Sequence, residues 1–165
     1  MTTTYEKKIE RIDGHLHAIT AIKDETGKTI HHVVDKLKVE VSLSDVMQIL
    51  VGASMLAIPT ALTQEVWDMG REVAWLNVLI MFLIEYLIIG MFVYLQSYKE
   101  HIKLYRVEYI KRVITIMLLS GIIVGVFLAL VDQLPLFTDT DVAIKRIIIG
   151  MLPASMSATV LDSFK

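Results

Sequence analysis

An acidic residue, Glu85, lies in the middle of an apolar run, AWLNVLIMFLIEYLIIGMFVYLQ, which covers residues 74–96. An ionised carboxylate at the centre of a bilayer costs at least about 2.5 kcal/mol on insertion scales. Glu85 must therefore carry a proton or meet a partner. Ser54 and the region 153–157 are expected at similar depth, so the candidate partners are hydroxyls, freed carbonyls, a proton or a cation. Two interpretations stay open: a transport site, and a protonated glutamic acid that only joins two helices.

A second set of polar residues lies in the stretch DVMQILVGASMLAIPTALTQEVWD, residues 45–68. A polar group in hydrocarbon costs free energy unless a neighbour satisfies it, so one side of this helix must face protein or water. Pro59 also leaves the carbonyl of Met55 without its helical donor. Close packing of small residues around a proline kink is the alternative to a pore or ion pathway. The candidate pore residues are Ser54, Thr60, Gln64, Glu65 and Asp68.

The last apolar segment also combines a proline with small and hydroxyl residues. At 100° per residue, Ser155, Thr159 and Asp162 share one face of this helix. Because the first and last helices are predicted to run in opposite directions, Glu65 and Asp162 should lie at opposite membrane surfaces.

The third segment carries a GxxxGxxxA pattern at Gly121, Gly125 and Ala129. Small residues at this spacing let helix backbones approach closely in a membrane. We interpret the pattern as a packing face, either within one chain or between subunits.

The elements that position these residues follow from composition and length. The chain has 165 residues, of which 55% are hydrophobic, and a mean hydropathy of +0.59. A helix of about 20 residues crosses the hydrocarbon core of a bilayer. The sequence predicts an α-helical membrane protein with four transmembrane helices, at about 45–65, 74–96, 112–132 and 143–162. Basic residues are assigned to the span ends, so we expect no buried ion pair inside the membrane.

Residues 1–41 are predicted to form a small cytoplasmic β-hairpin domain, followed by the transmembrane domain 42–165. Alternating runs at 17–23 and 29–41 are typical of strands, and the DETG sequence at 24–27 suits a turn. A short helix is predicted within 5–13. His15 and His17 are interpreted as ordinary hairpin histidines, with metal binding and pH sensing as alternatives.

Charge distribution predicts the orientation. Residues 1–41 contain seven Lys and Arg, and the loop before the third span is also basic, whereas the other two loops are acidic. The positive-inside rule therefore places both termini in the cytoplasm of a multi-pass cell-membrane protein. The acidic outer loops would concentrate cations, or they reflect the same charge bias alone.

Several function classes are disfavoured. No nucleophile, metal or nucleotide-binding motif is present, so we expect neither enzyme activity, a bound metal nor a cofactor. The net charge of -2 gives no indication of nucleic-acid binding. We predict a homo-oligomeric cation channel lined by the first helix, with membrane lipid and an inorganic cation or proton as partners. The alternatives are a small proton- or cation-coupled transporter using Glu85, and a membrane-anchored scaffold for a cytoplasmic partner.

The lead-in DETGK at residues 24–28 and the run GASMLAIPTALTQEVWD at 52–68 resemble a family of archaeal and bacterial integral membrane proteins that carries a domain of unknown function, DUF2391. The specific likeness covers roughly residues 20–72, and the remainder is similar in hydropathy. The resemblance implies a multi-pass membrane protein and supplies no catalytic or binding residue.

Overall fold

The computed structural model describes residues 4–12, 15–23, 29–36, 41–99 and 102–164. The chain divides into two units, one within residues 1–40 and the other within 41–165.

The first unit contains three strands, β1 (Thr4–Ile12), β2 (His15–Lys23) and β3 (Thr29–Lys36). They form an antiparallel sheet in the order β1-β2-β3. The helix predicted within residues 5–13 is wrong, since β1 pairs with β2 along its whole length. The predicted DETG turn lies outside the described residues, so the hairpin domain stays a prediction.

The second unit is helical. A capping box, in which the Ser42 hydroxyl and the Asp45 carboxylate each accept a backbone N–H of the other residue, starts the first helix. The helices are α1 (Leu43–Ala61), α2 (Gln64–Glu72), α3 (Trp75–Val93), α4 (Ile102–Leu130) and α5 (Thr140–Ser163), with a π-helical turn at Tyr94–Tyr98 after α3.

The first span is shorter than predicted. Helix α1 ends at Ala61, two residues after Pro59, and the N–H of Leu62 bonds to the carbonyls of Pro59 and Thr60 in a tightened last turn. The Trp67 indole Nε1 then donates to the carbonyl of Ala61 at 2.9 Å and closes the helix end. The predicted continuous helix to Asp68 is therefore wrong, and α2 is a separate element.

Within the described residues, four helices are long and apolar enough to cross a membrane: Leu43–Ala61, Trp75–Gln96, Tyr105–Leu130 and Thr140–Asp162. The third starts earlier than predicted because α4 continues through Tyr105, whose backbone departs from helical geometry (φ -121°, ψ 29°). Arg112 consequently lies inside this helix, away from its end.

Helix α5 lies at the centre of the unit and packs against α1, α2, α3 and α4. Small residues allow the closest approaches. A Cβ added at Gly52 of α1 would lie 2.7 Å from the Cα of Ala158 on α5. A Cβ at Gly150 would lie 2.9 Å from Val124 on α4. Helices α1 and α5 thus lie nearly backbone to backbone at Gly52, as expected where lipid provides no hydrophobic drive for association.

Candidate functional site

The Glu85 side chain is fully buried between α3 and α5 (0% exposed). The Ser155 hydroxyl donates to its Oε1 atom at 2.6 Å. The other carboxyl oxygen, Oε2, is buried and has no hydrogen-bond partner among the residues that the structure describes. Ser155 belongs to the 153–157 region from which a partner was predicted. One carboxyl oxygen therefore has a hydrogen-bond partner, and the other can carry a proton or bind a water molecule.

The helical periodicity of α3 and α5 brings Glu85 and Ser155 together. Most of α3 faces outward, and its narrow buried face includes Val78, Glu85 and Ile89, at spacings of seven and four residues. This face packs on α5, where Ser155 is fully buried. The Ser155 hydroxyl also lies 3.0 Å from the carbonyl of Leu152, an alternative acceptor for its single proton. The hydroxyl can therefore turn between two acceptors.

A row of polar residues continues along α5 from Ser155. The Thr159 hydroxyl donates to the carbonyl of Ser155 at 2.6 Å, and Asp162 follows three residues later. All three are buried. The face predicted from the sequence thus lies in the interior of the helical unit, between Glu85 and one end of the bundle. We call Glu85, Ser155, Thr159 and Asp162 the polar column.

Arg112 terminates the polar column. Its guanidinium donates to Asp162 through Nε (2.8 Å) and one terminal nitrogen (3.1 Å), and to Asp45 at 3.1 Å. The side chain is 1% exposed. We refer to this end of the helical unit as the Arg112 end. The expectation of no buried ion pair is wrong: the sequence placed Arg112 at a span boundary, but α4 carries it inward between α1 and α5.

Tyr98 also reaches this cluster and hydrogen-bonds to Arg112. Burial raises the pKa of the Tyr98 phenol, so the group stays neutral beside the guanidinium. Its ring packs edge-on against Tyr109 at 5.5 Å, and the Tyr109 hydroxyl donates to the carbonyl of Gly90. The tyrosines tie the end of α3 to α4 around the ion pairs.

A small open cleft lies at the Arg112 end, between the end of α3 and helices α4 and α5. Its polar lining includes two members of the polar column, and Gln96 at its edge is exposed. The lining residues are Phe92, Val93, Gln96, Arg112, Thr159, Asp162 and Ser163.

The five predicted pore residues do not share a helix face. The Ser54 hydroxyl donates to the carbonyl of Leu50 at 2.8 Å, and the Thr60 hydroxyl to that of Leu56 at 2.7 Å, so both are satisfied within α1. Gln64, Glu65 and Asp68 lie on α2, with the first two exposed and the third half-buried. The exposed side of α1 is instead apolar: Leu43, Met47, Val51, Met55, Leu56 and Ile58.

The glycines of the third span face α5 of the same chain. A Cβ added at Gly121 would lie 3.1 Å from the sulfur of Met151, and one at Gly125 would lie 3.7 Å from Ile147. Ala129, the third residue of the pattern, is exposed. Two members of the predicted packing face therefore serve packing within the subunit.

The opposite end of the helical unit is held by Arg146 (2% exposed), and we call it the Arg146 end. Its guanidinium donates to the carbonyl of Trp67 at 2.9 and 3.0 Å, and to the carbonyl and side-chain oxygens of Gln133 at 2.6 and 3.1 Å. Gly70 packs directly on its aliphatic part. Sequence reasoning missed both buried arginines, because each directly follows a lysine and lies near other charged residues at the end of a predicted span.

The sequence was compared with known families and proteins. The model of the family described as "Putative integral membrane protein (DUF2391)" matches residues 45–164. The chain belongs to this family. The match covers the helical unit from Asp45 onward, so the DUF2391 domain includes all four spans rather than the lead-in and first helix. Together with the four apolar helices, membership makes the chain an integral, multi-pass membrane protein. No curated protein and no solved structure matched it.

Proposed function

We propose that this protein is a small proton transporter in which Glu85 takes up and releases the transported proton. The observation that carries the proposal is a fully buried mid-span carboxyl group with one oxygen bonded to Ser155 and the other unpartnered within the described chain. Ionisable groups inside a membrane are expensive, and they typically mark proton relays and ion pathways.

The surroundings of Glu85 suit reversible protonation. A single hydroxyl partner stabilises the carboxylate weakly, so neither protonation state is locked by an ion pair. The polar column then links Glu85 with a cleft at the Arg112 end. A group that only joined two helices would not need this continuation.

The direct test is proton flux into liposomes that contain the purified protein and a pH-sensitive dye. Glu85→Gln keeps the size and the Ser155 contact but cannot exchange a proton, so we expect the flux to fall about 100-fold. Glu72→Gln, at an exposed position on α2, is the matched control and should keep the wild-type flux. Equal flux in the wild type and Glu85→Gln would refute the proposal.

A homo-oligomeric cation channel is the second candidate. Gln64 and Glu65 are exposed and would need several copies to line a shared axis. Ser54→Ala, Glu65→Gln and Asp68→Asn should then reduce a cation current, whereas our proposal expects proton flux to persist in all three. A membrane-anchored scaffold, the third candidate, would show no flux at all.

For orientation, we propose that both termini lie in the cytoplasm of a cell-membrane protein and that residues 1–41 form a small cytoplasmic domain there. The basic residues before the first and third spans support this.

A further inference from the structure

The buried neighbours of Ser155 on α5 differ in the two directions along the helix. On α5, one turn from Ser155 toward the Arg112 end is Thr159, whereas one turn the other way is the buried Met151. On α3, the buried residues on either side of Glu85, Val78 and Ile89, are both apolar, so the difference lies on α5. A proton crossing an apolar layer needs hydroxyls, carboxyls or water, so the polar side is the passable one.

The polar side also leads to a cleft that is open to water. Ser155 and Asp162 are seven residues apart on α5, which corresponds to about 10 Å along the helix axis. Thr159 and Asp162 both line the cleft, so water in the cleft comes within about one helical turn of Ser155. Among the described residues, Arg112, Asp45, Tyr98 and Glu108 are further charged or titratable groups near this end.

We propose that Glu85 exchanges its proton with the aqueous phase at the Arg112 end, through the cleft, and that Ser155 is the relay residue. This rests on the proposed transport function. A hydronium ion that reaches Ser155 from the cleft, past Thr159, gives one proton to the Ser155 Oγ atom, and the hydroxyl proton of Ser155 passes to Glu85 Oε1. One O–H bond breaks and one forms at Ser155, and water is left in the cleft. Rotation of the hydroxyl between Glu85 and the Leu152 carbonyl resets the relay.

The access route is tested by one-sided blocking. The chain has no cysteine, so a single introduced cysteine is the only thiol that the reagent can modify. Gln96→Cys places the thiol in the cleft, and Leu95→Cys, exposed on the same turn but outside the cleft, is the matched control. A charged, membrane-impermeant thiosulfonate reagent is added to one side of oriented proteoliposomes. We expect about tenfold slower flux with modified Gln96→Cys, from the Arg112 side only, and no change with modified Leu95→Cys.

The relay role is tested by Ser155→Ala. We expect flux to fall about 100-fold while the infrared carboxyl band of Glu85, identified by its loss in Glu85→Gln, moves to higher frequency as its hydrogen bond is lost. Thr60→Val on α1 removes a hydroxyl outside the polar column that, like that of Ser155, can bond to the carbonyl three residues earlier, and it should alter neither readout.

The outcomes separate the two proposals. If Glu85→Gln transports normally, the proposed function fails. If Glu85 is required but fully modified Gln96→Cys and Ser155→Ala both keep wild-type flux, the transport function stands and this route is overturned.

Discussion

Two buried arginines hold the ends of the helical unit, but by different chemistry. Arg112 is held by two aspartates, whereas the acceptors recorded for Arg146 are neutral oxygens of Trp67 and Gln133. A charge taken out of water is tolerated only when its hydrogen bonds are replaced, and both guanidinium groups meet this condition.

Removal of Arg112 should therefore destabilise the folded protein. Arg112→Ala leaves Asp45 and Asp162 buried without this cation, and we expect the free energy of unfolding to fall by about 3–5 kcal/mol. Denaturant unfolding in detergent micelles measures the change. Arg71→Ala on α2, at an exposed site, should change it by no more than about 0.5 kcal/mol.

Neutralising the aspartates as well provides a check on the cause. Arg112→Met combined with Asp45→Asn and Asp162→Asn removes all three charges, so much of the stability should return. A triple variant as unstable as Arg112→Ala would show that lost packing, rather than unpaired charge, dominates.

At the scale of elements, the close approach of α1 to α5 at Gly52 requires a glycine. The Cβ of an alanine at Gly52 would meet backbone atoms of α5, which cannot move aside alone. We expect Gly52→Ala to destabilise the protein by about 1–3 kcal/mol through overpacking. Gly125→Ala has ordinary contact distance to a flexible isoleucine and should gain up to about 1 kcal/mol from helix propensity. Thermal unfolding of the two variants compares them, and equal midpoints would contradict the close approach.

Length and hydropathy were enough to predict the four spans, and helical periodicity correctly grouped Ser155, Thr159 and Asp162 on one face. The neighbour that this face contacts depends on which helix packs beside α5. The residue pattern of a single helix does not specify that. The end of α1 was missed because the Ala61 carbonyl accepts a hydrogen bond from the Trp67 indole instead of from the backbone N–H of a further helical turn. Arg112 was misplaced because its partners come from residues far away in sequence.

For the whole molecule, the proposed route lies inside one chain. Each subunit should then transport on its own, even within an oligomer. Co-reconstituted wild-type and Glu85→Gln proteins should give flux proportional to the wild-type fraction. A pore on a symmetry axis predicts instead that a few mutant subunits suppress the whole assembly, so a steep, non-linear loss would favour the channel.

One more consequence follows from the cluster at Arg112. Asp45 and Asp162 come from the first and last helices of the unit, yet both hold the same guanidinium. The first and last residues of the helical unit are thus spatial neighbours at the Arg112 end, and a short peptide between them would turn the unit into a ring. New termini opened in the loop at residues 133–138 would give a circular permutant. It should keep the same helix packing although the order of the helices along the chain has changed.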